Sequence, residues 1–145
     1  MSIRFTLLIL LSFLASCTSK DYSYYIQKGD ALLGESQSDS TIIRCDTPEM
    51  TVIKEVIEGE SGDWRNTHIQ YYNSKGELVG YKRLSGFFNS LCYDDVLWEI
   101  SVYSFRKGVQ KLETHEIVTG NGITIKDTLE CQFPYRYPYQ LTLSL

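Results

Sequence analysis

The stretch VLWEISVYSF–RKG–VQKLETHEIV, residues 96–118, decides the fold class. Two runs rich in Val, Ile, Thr and aromatic residues flank a short turn that contains a glycine. Such runs are typical of β-strands, and a glycine-containing turn between them predicts a β-hairpin. The first run has apolar residues on both faces of the predicted strand, which indicates a strand in the interior of a sheet.

The same pattern continues in both directions from this hairpin. Strand-like runs occupy residues 41–45, 50–58, 64–73 and 77–88 before it, and residues 123–133 and 139–145 after it. Glycine favours turns, so we expect turns near Gly62, Gly76, Gly108 and Gly122. The sequence therefore predicts an all-β domain over residues 41–145. We expect an antiparallel meander of about seven strands, arranged as a small barrel or a two-sheet sandwich.

The N-terminal residues form a different kind of segment. One positive charge, Arg4, precedes an apolar run from Phe5 to Leu14, which is followed by small residues. About ten apolar residues are too few to span a membrane, which needs roughly twenty, but they suit the hydrophobic region of an export signal. We therefore interpret residues 1–16 as a signal peptide.

The signal ends in Leu14-Ala15-Ser16-Cys17, which resembles the lipobox of bacterial lipoproteins. The resemblance covers only about the first twenty residues. It implies cleavage between Ser16 and Cys17 and attachment of a diacylglyceryl group to the Cys17 thiol. A residue other than Asp after the cysteine, here Thr18, implies the outer membrane of the cell envelope. Two or more acyl chains would make the membrane anchor stable. An ordinary secretory signal is the alternative.

Residues 17–40 read as a lipidated tether, because serine, glycine and charged residues dominate them. One apolar group interrupts this composition, at Tyr22, Tyr24, Tyr25 and Ile26. It could dock on the domain as a strand or as a short helix.

Charge and cysteine content exclude several functions. The formal net charge is −4, and no basic cluster is present that could neutralise phosphates, so we expect no nucleic-acid partner. With Cys17 lipidated, three cysteines remain. A disulfide could join Cys45 to Cys131, which would leave Cys92 as an unpaired thiol. Three unbridged thiols are the alternative. The cysteines lack the spacing of a zinc site, so we expect no metal and no cofactor.

Candidate catalytic residues are few. His68 and His115 lie in the middle of separate strands. They could meet across the sheet to bind a metal or move protons, but solvated side chains without such a role are the favoured interpretation. Asp94 and Asp95 are adjacent and lack the spaced oxygen ligands of a calcium loop. No nucleophile elbow and no phosphate-binding glycine loop occur.

Tyrosine is unusually frequent for a chain of this length, with 11 of 145 residues. For tyrosines inside strands, such as Tyr71, Tyr81 and Tyr103, packing is the favoured interpretation. The stretch with Tyr135, Arg136, Tyr137 and Tyr139 is the candidate binding surface, because Tyr and Arg are enriched at binding hot spots. We expect a non-enzymatic binding module held to the membrane by its lipid, with an envelope protein or glycan as partner. A small envelope-polymer hydrolase and a barrel that carries an apolar ligand are the alternatives.

Overall fold

The computed structural model describes residues 20–36, 38, 40–60, 62, 64–87 and 97–124, with backbone only at residue 87. They form one helix and six strands. The elements are α1 (Tyr22–Glu35), β1 (Ile42–Asp46), β2 (Met50–Glu58), β3 (Trp64–Asn73), β4 (Leu78–Phe87), β5 (Leu97–Arg106) and β6 (Val109–Thr119).

All six strands belong to one antiparallel sheet in which each strand pairs with its neighbour along the chain. The predicted all-β antiparallel meander is therefore confirmed, and β5 lies in the interior of the sheet as expected. The sequence places each of these six strands to within about one residue, because apolar runs bounded by turn residues define them. The predicted strands after residue 124 lie outside the described residues.

The four predicted turns are also confirmed. Gly62, Gly76, Gly108 and Gly122 all have positive φ angles, between 74° and 80°. The β5–β6 turn is the tightest, because Arg106 pairs with Val109 and only Lys107 and Gly108 lie between them. Both have positive φ, 52° and 76°. This is the type I′ geometry that matches the twist of a hairpin.

The described strands do not close into the barrel that was one of the two expected arrangements. β1 and β6 lie at opposite edges of the sheet, and within the described residues they do not pair with each other. Helix α1 instead covers one face of the sheet, where it packs against the apolar side chains of β2 and β3.

Helix α1 lies in the stretch that the sequence predicts as a tether. Of the two forms considered for the apolar group at residues 22–26, the helix is the one observed. Asp21 is the N-cap and accepts a hydrogen bond from the Tyr24 backbone N–H at 3.2 Å. Five residues form a stripe at helical spacing that faces the sheet, namely Tyr25, Ile26, Gly29, Leu32 and Leu33. No helix within the described ranges is long and apolar enough to cross a membrane.

Gly29 lets the helix approach the sheet closely. A Cβ atom added at Gly29 would lie 2.6 Å from Cδ1 of Tyr71, a fully buried residue of β3. The next helix residue, Asp30, accepts a hydrogen bond from the Tyr71 hydroxyl at 2.6 Å and pairs with Lys82 Nζ of β4 at 2.9 Å. Burial, and then the contact with Asp30, raises the pKa of Tyr71. The contacts of two consecutive residues therefore fix the helix on the sheet.

We expect Gly29→Ala to destabilise the domain by about 1–3 kcal/mol, the usual cost of overpacking a close contact. The matched control is Gly34→Ala in the same helix, because an added Cβ at Gly34 would meet nothing within 4 Å. That substitution should be neutral or stabilise by up to about 1 kcal/mol through helix propensity. Urea unfolding of both variants measures the difference. Equal effects of the two substitutions would contradict the close-contact explanation.

Candidate functional site

The sheet face opposite α1 carries a polar row, with one residue from each of β2 to β6. Its members stand directly opposite one another in the register, in the order Glu55, His68, Arg83, Ser101 and His115. Directly paired residues of antiparallel strands project to the same side of the sheet. Residues that contact the helix, such as Tyr71 and Lys82, have the opposite parity on their strands. The polar row therefore lies on the other face.

The favoured expectation of solvated histidines is wrong for His68, which is the buried histidine of the row. Its side chain is only 2% exposed, and its Nδ1 shares a hydrogen bond of 2.6 Å with the hydroxyl of Tyr81. The Tyr81 ring stacks in turn on Tyr103, with 5.7 Å between the ring centroids. Burial, and secondarily the positive charge of Arg83, lowers the pKa of His68 to about 4. His68 is therefore neutral at pH 7.

Glu99 connects the middle of the polar row to its outer end. Its Oε2 lies 3.6 Å from Nη2 of Arg83, and its Oε1 lies 2.8 Å from Nε2 of His115. The side chains of Arg83 and Glu99 are 26% and 21% exposed, whereas that of His115 is 42% exposed. The row thus runs from a buried histidine to a solvent-accessible one, with an ion pair between them.

Two groups in the middle of the row lack hydrogen bonds. Arg83 Nε and Ser101 Oγ are buried, and neither has a hydrogen-bond partner in the described part of the chain. Arg83 and Ser101 are direct cross-strand partners. Buried polar groups are normally satisfied, and leaving one unpaired costs about 1–3 kcal/mol. Both groups can donate a hydrogen bond to an oxygen atom, but neither is a general base.

The geometry does not support the metal or proton-transfer interpretation of the two histidines. His68 and His115 share a face, but they lie on β3 and β6, three strand spacings or about 14 Å apart. Arg83 and Ser101 stand between them. Within the described residues, no group of three or more His, Cys, Asp or Glu side chains could hold a metal ion.

The nearest approach to a hydrolytic arrangement is Ser101 beside His115, with Glu99 bonded to the histidine. In a working triad the histidine accepts a hydrogen bond from the serine and donates one to the carboxylate. Here Ser101 Oγ makes no hydrogen bond to His115, and the serine is 1% exposed. A glycosidase pair is also absent from the row. Glu55 and Glu99 lie on strands about 14 Å apart, beyond the roughly 5–9.5 Å that such chemistry uses.

Of the residues predicted for lipidation, signal cleavage, a disulfide and partner binding, the structure describes only Cys45. Its thiol is free and half-buried, with Sγ 4.0 Å from the carbonyl oxygen of Leu32 in α1. The remaining predicted residues lie outside the described ranges, and the roles assigned to them stay predictions. They are Ser16, Cys17, Cys131, Tyr135, Arg136, Tyr137 and Tyr139.

The sequence interpretation missed Arg83, Glu99 and Ser101. A signal for one of them was available, since Glu99 is the single charge in the run 96–105, which is apolar on both faces of the strand. A charge in such a strand must be paired, which implies partners on the neighbouring strands. The strand register, which identifies those partners, was not available from the sequence.

Comparisons with known proteins add no assignment. No family model, curated protein or solved structure matches the chain.

The pKa of His68 predicts a dependence of stability on pH. The unfolded chain binds a proton at His68 near its ordinary pKa of 6.5, whereas the folded protein binds one only near about 4. The contribution of His68 to the free energy of unfolding should therefore be constant above pH 6.5 and should decrease as the pH is lowered towards 4. His68→Gln should remove this part of the pH dependence. Urea unfolding between pH 4 and 8 measures it.

His115→Gln is the control for this prediction, because it also removes a histidine of the row but at a solvent-accessible position. If the two substitutions change the pH dependence equally, burial of His68 is not its cause.

Proposed function

We propose that the protein is a bacterial lipoprotein whose β domain acts as a non-enzymatic binding module in the cell envelope. The signal peptide is cleaved between Ser16 and Cys17, and lipid on Cys17 anchors the chain to the outer membrane. The observation that carries the proposal is the sequence Leu14-Ala15-Ser16-Cys17 directly before a folded domain. The N-cap of α1, Asp21, follows only four residues after Cys17.

Contacts at the start of α1 support a short connection between the anchor and the domain. Lys20 Nζ lies 3.3 Å from a carboxylate oxygen of Glu49, in the β1–β2 turn. Tyr24 donates a hydrogen bond of 2.7 Å to the same carboxylate, and Lys28 pairs with it as well. These bonds, from Lys28 first and then from Tyr24 and Lys20, lower the pKa of Glu49 to about 2. The chain is thus attached to the sheet from Lys20 onward.

The polar row favours binding over catalysis. Its serine has no bonded base, its buried histidine is bonded to a tyrosine, and its exposed histidine is paired with Glu99. A nucleophile without a base in hydrogen-bond reach is weak. The carrier alternative rested on a closed barrel, which the described strands do not form.

The proposed contact surface for the partner is the stretch with Tyr135, Arg136, Tyr137 and Tyr139. Two of the three strand tyrosines are buried in the domain, since Tyr71 is 0% and Tyr81 4% exposed, and so they are not available to a partner. The proline-bounded stretch near the C terminus is therefore the stronger candidate for an aromatic contact surface. An envelope protein or a glycan would suit it, because tyrosine offers both an apolar ring and a hydroxyl.

Cys17→Ala should abolish both processing and lipid attachment, because the thiol is the acceptor of the lipid. We expect complete loss of the protein from the detergent phase in a phase-partition assay. Mass spectrometry of the N-terminal peptide should show the lipid on wild-type protein only. A wild-type protein cleaved at another bond and free of lipid would contradict the proposal.

Replacing Tyr135, Tyr137 and Tyr139 by alanine should weaken partner capture in a pull-down from envelope extract by about thirtyfold or more, since even one hot-spot residue contributes about 2 kcal/mol. The β-sheet circular dichroism spectrum should not change. Tyr22→Ala, a half-buried tyrosine of α1, is the matched control. Unfolding of the triple variant would mean that these tyrosines are part of the core.

The same preparations test the hydrolase alternative. If wild-type protein degrades an envelope polymer and Ser101→Ala or His115→Gln loses that activity, the enzyme interpretation replaces the binding one.

A further inference from the structure

Three hairpin turns and the start of α1 lie together at one end of the domain, which we name the turn end. The turns are β1–β2 (47–49), β3–β4 (74–77) and β5–β6 (107–108). They share an end because consecutive strands of a meander alternate in direction. The start of α1 is placed there by the contacts of Lys20 and Tyr24 with Glu49.

Three basic side chains of the turn end are uncommitted. Lys75, Arg106 and Lys107 are exposed, and their side chains make no hydrogen bond or ion pair within the described part of the chain. Lys107 occupies a two-residue turn in which both φ angles are positive, so the backbone that carries it is tightly constrained. These side chains are available to an anionic partner.

The acidic side chains of the turn end are occupied within the domain. Glu49 is bonded to two lysines and a tyrosine, as described above. Glu77 accepts a hydrogen bond from Asn73 Nδ2 at 2.7 Å. Asp46 pairs with Arg44 at 2.9 Å and accepts from Thr51 at 2.6 Å, and Asp21 caps α1. The uncommitted charge at this end is therefore positive.

The opposite end of the sheet differs in charge. Glu60 in the β2–β3 connection and Glu58 at the end of β2 are exposed, and the cation Arg65 of β3 is paired with Glu58. Among the described residues, the exposed uncommitted charges are therefore basic at the turn end, whereas the β2–β3 connection at the other end carries the acidic Glu60.

We propose that the turn end docks on the anionic phospholipid headgroups of the membrane that holds the lipid anchor. The inference rests on the proposed lipidation of Cys17. Lys20 is the third residue after Cys17, and three residues reach at most about 11 Å. The ten-residue strands are about 33 Å long, so the far end of the sheet lies well beyond this reach. The anchor therefore holds the turn end near the bilayer, and Lys75, Arg106 and Lys107 bind its phosphates.

The experiment uses the full-length, processed protein in vesicles of phosphatidylcholine with and without phosphatidylglycerol. Amide hydrogen exchange is followed in the three turns of the turn end and in residues 59–62 of the β2–β3 connection. Each basic residue near an anionic surface favours docking about fivefold, so we expect exchange at residues 74–77 and 107–108 to slow by at least about fivefold with phosphatidylglycerol. Residues 59–62 should not change.

A charge-reversal variant, Lys75→Glu with Arg106→Glu and Lys107→Glu, should lose this slowing. Glu60→Lys, a reversal at the other end, should keep it. Mass spectrometry of the same samples reports the lipid. Protein without lipid would overturn the proposed function and this inference together. Lipidated protein whose turn end exchanges equally in both kinds of vesicle would overturn the docking inference alone.

Discussion

The position of α1 depends on the contact between the Tyr71 ring and Gly29. Tyr71 is fully buried, and the helix can lie over it only because position 29 has no Cβ. Asp30 then receives the Tyr71 hydroxyl and the Lys82 ammonium, so an apolar contact and a charged one act on adjacent helix residues. The helix is thereby fixed across β2, β3 and β4. This also fixes where the chain enters the domain, beside the β1–β2 turn.

Apolar packing stabilises one face of the sheet, and hydrogen bonds and ion pairs stabilise the other. The face under α1 is apolar, with Met50, Val52, Ile69 and Tyr71 as its buried cluster. The other face carries the polar row, where His68 and Ser101 are buried and Arg83 is partly buried. Polar groups in a low-dielectric environment interact strongly when paired and are costly when unpaired. The row therefore constrains the strand register. If one strand slipped by one residue, its member of the row would move to the apolar face.

The strands were predictable from the sequence because their cause is local. Alternating or continuous apolar runs and turn glycines lie within a few residues of one another, as in 96–118. Helix α1 was not assigned, because its stripe contains Gly29 and its neighbours include serine and further glycine. Those residues have low intrinsic helix propensity, and the contacts that offset this come from Met50 and Tyr71, which are distant in sequence. The polar row was missed for a related reason. Arg83, Ser101 and His115 become neighbours only through the pairing of β4, β5 and β6.

The strand order has a consequence for how the chain folds. Every strand pairs with the one made just before it, so the sheet consists of short-range connections and has a low contact order for a β protein. Hairpins can form one after another as the chain emerges. Helix α1 is the exception. It precedes the six described strands in the chain but packs against β2, β3 and β4. Among the described elements, the helix is therefore synthesised before every strand and must wait for β4 before its binding site on the sheet is complete.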